Sequence, residues 1–281
     1  MKGLVKKVRS KIKRIVPETR FLLGRMDPVD ALHRYRYRRT RALAFPIPPK
    51  VLRTMVGPEP RIERFLDQGR RTSEDVRRAL EAVGRPLESF RSILDFGCGC
   101  GRQMRWLAEM PRSCRLHGTD ILAPAIEWNR RHLHFAEFEV NNFYPPLGYT
   151  HARFDLIYAI SVFTHLNEPD QQAWMDELKR VAQAGGIVMV TTQGEYALEH
   201  FRKGTLPASP EFLARLNRHR PLSEEGVIFE PYEPGMNYGL AFHDVNYVRE
   251  RWGRKLRLLR FIPKGMDGWQ DIVVMQKEGL N

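Results

Sequence analysis

From residue 92 onward, short apolar runs alternate with segments whose apolar residues recur at helical spacing. Ser92–Phe96 is compact and apolar, and predicts a strand. Arg102–Met110 places Met104, Leu107 and Ala108 on one side and predicts a helix. Arg115–Thr119 predicts a second strand, Pro124–Arg131 a helix and Phe135–Val140 a third strand. Phe154–Ile160 is almost continuously apolar, as a central strand covered on both faces should be. Gln171–Val181 aligns Trp174, Leu178 and Val181 on one helical face. Ala184-Gly185-Gly186 should break that helix before a fifth strand, Ile187–Thr192. Strands alternating with helices predict a parallel sheet covered on both sides, an α/β fold.

The first strand carries the most informative chemistry. It ends in Asp95-Phe96 and runs into Gly97-Cys98-Gly99-Cys100-Gly101. Glycines let a chain turn sharply and bring bare backbone N–H groups against a ligand. The second strand ends in Asp120. A carboxylate there, about 20 residues past a glycine turn, accepts hydrogen bonds from both ribose hydroxyls.

These segments resemble the class I S-adenosylmethionine-dependent methyltransferases. The resemblance rests on LDFGCGCGR (Leu94–Arg102), HGTD (His117–Asp120), VNNFYPPL (Val140–Leu147), FDLIYAISVFTHL (Phe154–Leu166) and the run Ala184–Thr191. It implies a Rossmann-like sheet of seven strands with the last antiparallel, the final pair being Leu256–Ile262 and Gln270–Gln276 after a helix Asp244–Trp252. It also implies S-adenosyl-L-methionine as cofactor. Asp95 and the Gly97, Cys98, Gly99 and Gly101 backbone would take its methionine part, Asp120 the ribose and Ile121 the adenine face. Asn141 and Asn142 close the third strand. Asn142 matches the position that bonds the adenine amine, where many relatives carry Asp. Ser161 and Val162 would lie near the sulfonium.

Methyl transfer is an in-line displacement, so the protein must align the reacting atoms and remove a proton from the acceptor. His165 is the first candidate base and His243 the second, imidazole being suited to proton transfer near neutrality. Each also has a plain structural reading, as part of a helix start. The segment after the fourth strand reads Ser161-Val162-Phe163-Thr164. It lacks the Asn/Asp-Pro-Pro-aromatic tetrad of enzymes that methylate base amines. That disfavours base amines and leaves hydroxyl acceptors, other RNA and protein targets open.

Charge divides the chain. Residues 1–90 hold 23 Lys/Arg and 10 Asp/Glu, which accounts for the whole net charge of +13 and leaves the rest of the 281 residues balanced. Residues 1–41 form a basic arm in which Leu4, Val5, Val8, Ile12, Ile15 and Val16 fall at helical spacing. Five arginines in Arg34–Arg41 are interleaved with Tyr35 and Tyr37. The first pattern suits a helix lying on an anionic membrane through residues 1–20. The same cations could track RNA phosphates. Residues 42–90 read as a helical cap, with Thr72 as N-cap, Val76, Leu80 and Val83 as apolar face and Gly84 as stop. Phe45–Gly57 and Phe65–Arg70 resemble the upstream part of methyltransferases associated with bacterial glycan and polysaccharide pathways. The catalytic domain would then be 91–281. An insertion at 194–236 would act as a substrate-side lid, with a capped helix at Ser209-Pro210-Glu211 and Tyr232, Tyr238 and Phe242 near the acceptor.

Three cysteines, two of them inside the glycine turn, form neither a disulfide framework nor a metal-ligand spacing. A reducing cytoplasm, with peripheral contact at the inner membrane face, is the expected location. The expected acceptor is a saccharide or saccharide-lipid hydroxyl. An RNA-modifying enzyme and a non-catalytic cofactor-binding scaffold are the alternatives.

Overall fold

The computed structural model describes residues 45–57 and 61–279. The basic arm 1–41, including its apolar stripe and Tyr35 and Tyr37, lies outside the described residues. Chain order begins with a short helix α1 (Lys50–Arg53) and a long helix α2 (Ile62–Glu81), followed by β1 (Ser92–Phe96) and β2 (Arg115–Asp120). Then come α3 (Ala123–His132), β3 (Glu137–Val140), β4 (Phe154–Ala159), α4 (Glu168–Val181) and β5 (Ala182–Thr192). The segment 194–236 contributes α5 (Glu195–Arg202), α6 (Pro210–Leu216), α7 (Leu222–Glu225) and β6 (Val227–Pro231), and β6 forms a hairpin with β7 (Gly239–His243), which lies beyond the expected end of the insertion. The chain closes with α8 (Val245–Tyr247), β8 (Arg257–Met266) and β9 (Gln270–Gln276).

The main sheet has seven strands in the order β3-β2-β1-β4-β5-β9-β8. β1 to β5 are mutually parallel, and β9 runs antiparallel to both β5 and β8. The order reverses between β1 and β4, and the crevice outside the carboxyl ends of those strands is where such sheets bind ligands. Successive strand residues feed opposite faces. Ile93, Leu156 and Ile187 enter one apolar cluster with α2 and α3, while Leu94, Ile157 and Val188 enter the other with α4. α4 starts where Asn167 Oδ1 accepts a bond from Asp170 N at 2.9 Å, with a proline in the first turn. Its face of Trp174, Met175, Leu178 and Val181 is wholly covered, each large side chain contributing roughly 1.5–3 kcal/mol. Leu198, Phe212, Leu216 and Ile228 of this segment form a small core with Phe242 of β7, so Phe242 faces that core and not an acceptor.

Several local expectations change. The segment after the glycine turn is a 3₁₀ turn over Met104–Leu107, not a helix over Arg102–Met110. Arg102, Gln103, Met104 and Arg105 are all buried, so its start has no solvent face, and Pro111 ends it. Thr72 sits inside α2, its hydroxyl donating to Gln68 O at 2.8 Å, as mid-helix threonines do. Ala184–Gly186 lies within β5, at a register shift opposite Phe154–Leu156. Gly185 at φ +73° absorbs the irregularity. The expected last helix is one α turn followed by a π-helical turn, Val248–Trp252. Gly253 permits this, since a Cβ there would lie 2.0 Å from Arg249 O. No helix among the described residues is long and apolar enough to cross a membrane.

Candidate functional site

The glycine turn is left-handed at all three of its glycines, with φ of +83° at Gly97, +52° at Gly99 and +75° at Gly101. Neighbours crowd each one. An added Cβ would fall 2.4 Å from Val162 Cγ2, 2.3 Å from Val56 Cγ1 and 2.4 Å from Leu133 Cδ1 respectively. Side chains from three other parts of the chain thus close on bare backbone. Gly97 N and Cys98 N both donate to Thr119 O, at 2.8 and 3.0 Å, and bind the turn to the end of β2.

Asp120 completes the cradle. Its Oδ2 accepts from Gly99 N and its Oδ1 from Leu122 N, both at 2.8 Å. Each carboxylate oxygen keeps a further lone pair for a hydroxyl. Burial pushes the carboxyl above its usual range, and the backbone donors oppose that shift. Asp95 lies deeper, 2% exposed, and burial pushes its pKa up to about 8. The Tyr158 hydroxyl and Arg102 oppose that rise, and its Oδ2 has no hydrogen-bond partner.

Ile121 and Val140 stand 40% and 46% exposed at the ends of β2 and β3. Asn141 Oδ1 accepts from the Thr119 hydroxyl at 2.8 Å, and its amide donates to Asn142 O at 2.7 Å. Asn142 itself is exposed beyond it. Cys98 and Cys100 are buried thiols whose pKa burial raises, that of Cys100 to about 12, so both fill space as neutral groups. Among the described residues no group of His, Cys, Asp and Glu could hold a metal ion.

Across the crevice, Ser161 follows β4 with φ +58°, a strained conformation for a residue with a side chain. Its N–H donates to Thr191 Oγ1 at 2.7 Å and its hydroxyl to Gln270 Oε1 at 3.0 Å. Next comes His165. Its Nδ1 lies 2.9 Å from Gly239 O and 3.0 Å from the Tyr232 hydroxyl, and its ring stacks on Tyr238 at 5.2 Å. A carbonyl only accepts, so in the neutral ring Nδ1 carries the proton and Nε2 keeps its lone pair. Burial holds the imidazole below its ordinary pKa, which maintains that neutral form.

His243 is placed differently. It is 1% exposed, and its Nε2 lies 2.9 Å from Gln171 Oε1. The Gln171 amide in turn donates to Leu166 O at 2.8 Å. His243 therefore braces the segment that carries His165, and burial lowers its pKa to about 3. The structure brings Asp95, the three glycines, Asp120, Ser161, Val162 and His165 to one crevice and leaves His243 beneath it. Sequence reasoning missed Val56, Thr191, Gln270 and the Gly239 carbonyl. Thr191 and Val56 lie inside runs that carry a resemblance, but nothing in those runs points to the site, and all four reach it through tertiary packing.

Residues 93–186 match the family model for the methyltransferase domain. Those residues carry a methyltransferase domain that uses S-adenosylmethionine. Solved structures agree on the fold of this methyltransferase. The magnesium protoporphyrin IX methyltransferase of Synechocystis, with bound S-adenosylhomocysteine, is 14% identical at a TM-score of 0.51, covering 77% of this chain and 87% of its own. An S-adenosylmethionine-dependent methyltransferase from Clostridium acetobutylicum is 11% identical at 0.51, covering 75% and 92%. A protein from Pyrococcus horikoshii is 16% identical at 0.51, covering 77% and 96%. The cradle of the methyltransferase fits S-adenosylmethionine. The buried Asp95 Oδ2 lacks a partner, and the turn has no room for a side chain where backbone must meet the ligand.

Proposed function

We propose that the enzyme methylates a hydroxyl of a saccharide or saccharide-lipid intermediate. Bound S-adenosylmethionine supplies a methyl group already electrophilic on its sulfonium. The protein's part is then to hold, align and deprotonate. In this reading Asp95 and the Gly97–Gly101 backbone take the amino-acid end, Asp120 the ribose, Ile121 and Val140 the adenine faces and Asn142 the adenine amine. Ser161 and Val162 border the reacting end.

The observation that carries the reading is the neutral His165, with Nδ1 tied to Gly239 O and Nε2 left as an acceptor. Nε2 takes the acceptor hydroxyl's proton as the oxygen attacks. Tyr232, 40% exposed, and Tyr238 flank the ring. Their π faces suit the positively polarised C–H edges of a sugar ring. The upstream segments that resemble glycan-pathway enzymes, Phe45–Gly57 and Phe65–Arg70, support the same substrate class. The aliphatic stripe within residues 1–20 favours an anionic membrane surface over RNA for the basic arm, since phosphate tracking needs no such stripe.

Incubation with methyl-labelled S-adenosylmethionine and fractionated glycans, glycolipids and RNA tests the reading. Label should enter a carbohydrate-bearing fraction as an alkali-stable ether. His165→Ala should lower turnover by about 10²–10⁴ while leaving S-adenosylhomocysteine affinity nearly unchanged. Label in RNA alone would replace this reading with the RNA-modifying one. Cofactor binding without label in any fraction would favour the scaffold.

A further inference from the structure

A second concave site lies at the other end of the sheet. A cavity of about 400 Å³ is lined by Lys179, Arg254, Lys255, Arg257, Lys277 and Glu278. Ala152 before β4 and Ala184 in β5 also border it, which places it at the amino ends of those strands. The crevice lies beyond their carboxyl ends, a strand's length of about 20 Å away. A volume of this size is ordinary for a small-molecule site.

Five cations in one cavity are no reflection of a basic domain, because residues 91–281 have no net charge. One of the five is already matched. Lys255 Nζ lies 2.6 Å from Asp176 Oδ1 and 3.1 Å from Gln172 O. Lys277 Nζ donates to a carbonyl, Ala182 O, at 2.8 Å. Burial lowers its pKa, and the charge on Lys179 lowers it further. Among the described residues no carboxylate pairs with Lys179, Arg254, Arg257 or Lys277, and Glu278 is exposed and makes no ion pair. The carbonyls at the end of α4 account for lysines nearby. They do not account for two arginines brought in from another part of the chain.

Backbone holds those arginines in place. The π-helical turn ends at Gly253, whose N–H donates to Val248 O at 3.1 Å. Lys255 N and Leu256 N both donate to Trp252 O, at 2.9 and 3.0 Å. Leu256 is 1% exposed in the core shared with α4, and Arg254 and Arg257 stay exposed on either side of that anchor. Just past β9, Lys277 N donates to Gly186 O at 2.9 Å. Cations from three segments are thus fixed together before any ligand arrives, which lowers the cost of binding one. Guanidinium forks match pairs of phosphate oxygens.

We propose that this cavity binds a diphosphate group, with Arg254 and Arg257 on its oxygens and Lys179 and Lys277 completing the charge. Four unmatched cations against one exposed carboxylate exceed the needs of a singly charged anion. The group arrives either on a soluble molecule or as the headgroup of a prenyl diphosphate. The inference does not depend on what the crevice methylates.

Titration calorimetry of the full chain with inorganic diphosphate tests the proposal, at about 0.15 M salt so that distant charges are screened. The unaltered protein should bind diphosphate at least about 10-fold more tightly than sulfate. Replacing both arginines, Arg254→Gln with Arg257→Gln, should weaken diphosphate about 10- to 100-fold. Both are exposed, so melting without ligand should not change. Arg38→Gln with Arg39→Gln removes the same charge from the basic arm and should leave the affinity unaltered. Co-sedimentation with phosphatidylcholine vesicles, with and without farnesyl diphosphate, separates the two sources. Capture that needs both farnesyl diphosphate and the two cavity arginines assigns the lipid, and calorimetric binding without capture assigns the soluble group. Equal affinity for sulfate and diphosphate in the unaltered protein overturns the proposal, a measurement that needs no variant to fold. So does diphosphate binding that survives in the cavity variant and is lost in the arm variant.

Discussion

The two walls of the crevice are built from different material. On the β1–β2 side, contacts come from backbone. Three left-handed glycines, the N–H groups of Gly97 and Cys98 on Thr119 O, and Asp120 clasping Gly99 N all lie within 25 residues of one another. On the β4 side they come from side chains that travel far. His165 meets Tyr232, Tyr238 and Gly239 across 67 to 74 residues of sequence, and Ser161 meets Gln270 across 109. Backbone geometry must be right for any ligand the fold holds, whereas a side-chain wall can be rebuilt for a new acceptor without disturbing the sheet. That division suits an enzyme whose cofactor is fixed and whose acceptor is particular to it.

The largest effect should follow from filling the backbone wall. Gly97→Val adds a β-branched side chain at φ +83°, with its Cβ 2.4 Å from Val162. The conformation costs about 1–2 kcal/mol and the overpacking about 1–3 kcal/mol more. Thermal unfolding should shift down accordingly, and the stabilisation that S-adenosylhomocysteine gives the unaltered enzyme should vanish. Because Val162 belongs to the opposite wall, this change also tests whether the walls are independent. A Gly97→Val protein with unaltered melting and ligand affinity would show that the turn is not crowded as described.

Asp120→Ala should have a smaller and more selective effect. It removes the acceptor for two backbone N–H groups and, in the proposed cofactor arrangement, for the ribose hydroxyls. Water can reach this half-buried position, so the stability loss should stay near 1–3 kcal/mol. S-adenosylhomocysteine affinity should fall about 10- to 100-fold, and Asp120→Asn should lie between. Calorimetry showing no change in affinity would take Asp120 out of the ribose role and leave it as a clasp for the turn.

The same division explains what could be read from the sequence. The succession of strands along the chain, the glycine turn and the placement of Asp95 and Asp120 follow from short-range pattern. Each needs only a strand, a turn and the next strand to be set correctly. The alternation of Ile93 and Leu94 between the two apolar clusters is legible for the same reason. The helix expected over Arg102–Met110 was illegible because α2, more than 20 residues upstream, packs against its start at Arg102 and Trp106 and Arg102–Arg105 is buried. His165 and His243 are both lone histidines beside predicted helices, ranked first and second by sequence but given no partner by it. Only the β6–β7 hairpin distinguishes them, by laying Gly239 O against one and burying the other on Gln171.

That distinction between the histidines has a measurable consequence on the side-chain wall. His243 has a folded pKa of about 3, against roughly 6.5 when unfolded. The folded state therefore binds fewer protons, and the stabilisation is complete above about pH 6.5 and is lost as pH falls toward 3. Between pH 7.5 and 5.5 this group alone should remove about 1.4 kcal/mol. Asp95 acts in the other sense. Its carboxyl, near 8 when folded, contributes fully at low pH and loses that contribution as pH rises through about 4 to 8. His243→Gln keeps a hydrogen-bonding group beside Gln171 and removes the titration. Asp95 is common to both proteins, so it cancels when the difference in unfolding free energy between them is followed from pH 7.5 to 5.5. The unaltered enzyme should lose about 1.4 kcal/mol relative to His243→Gln over that interval. A difference independent of pH would mean that His243 is not buried neutral, and the two histidines would then no longer be separated by the hairpin in the way their contacts imply.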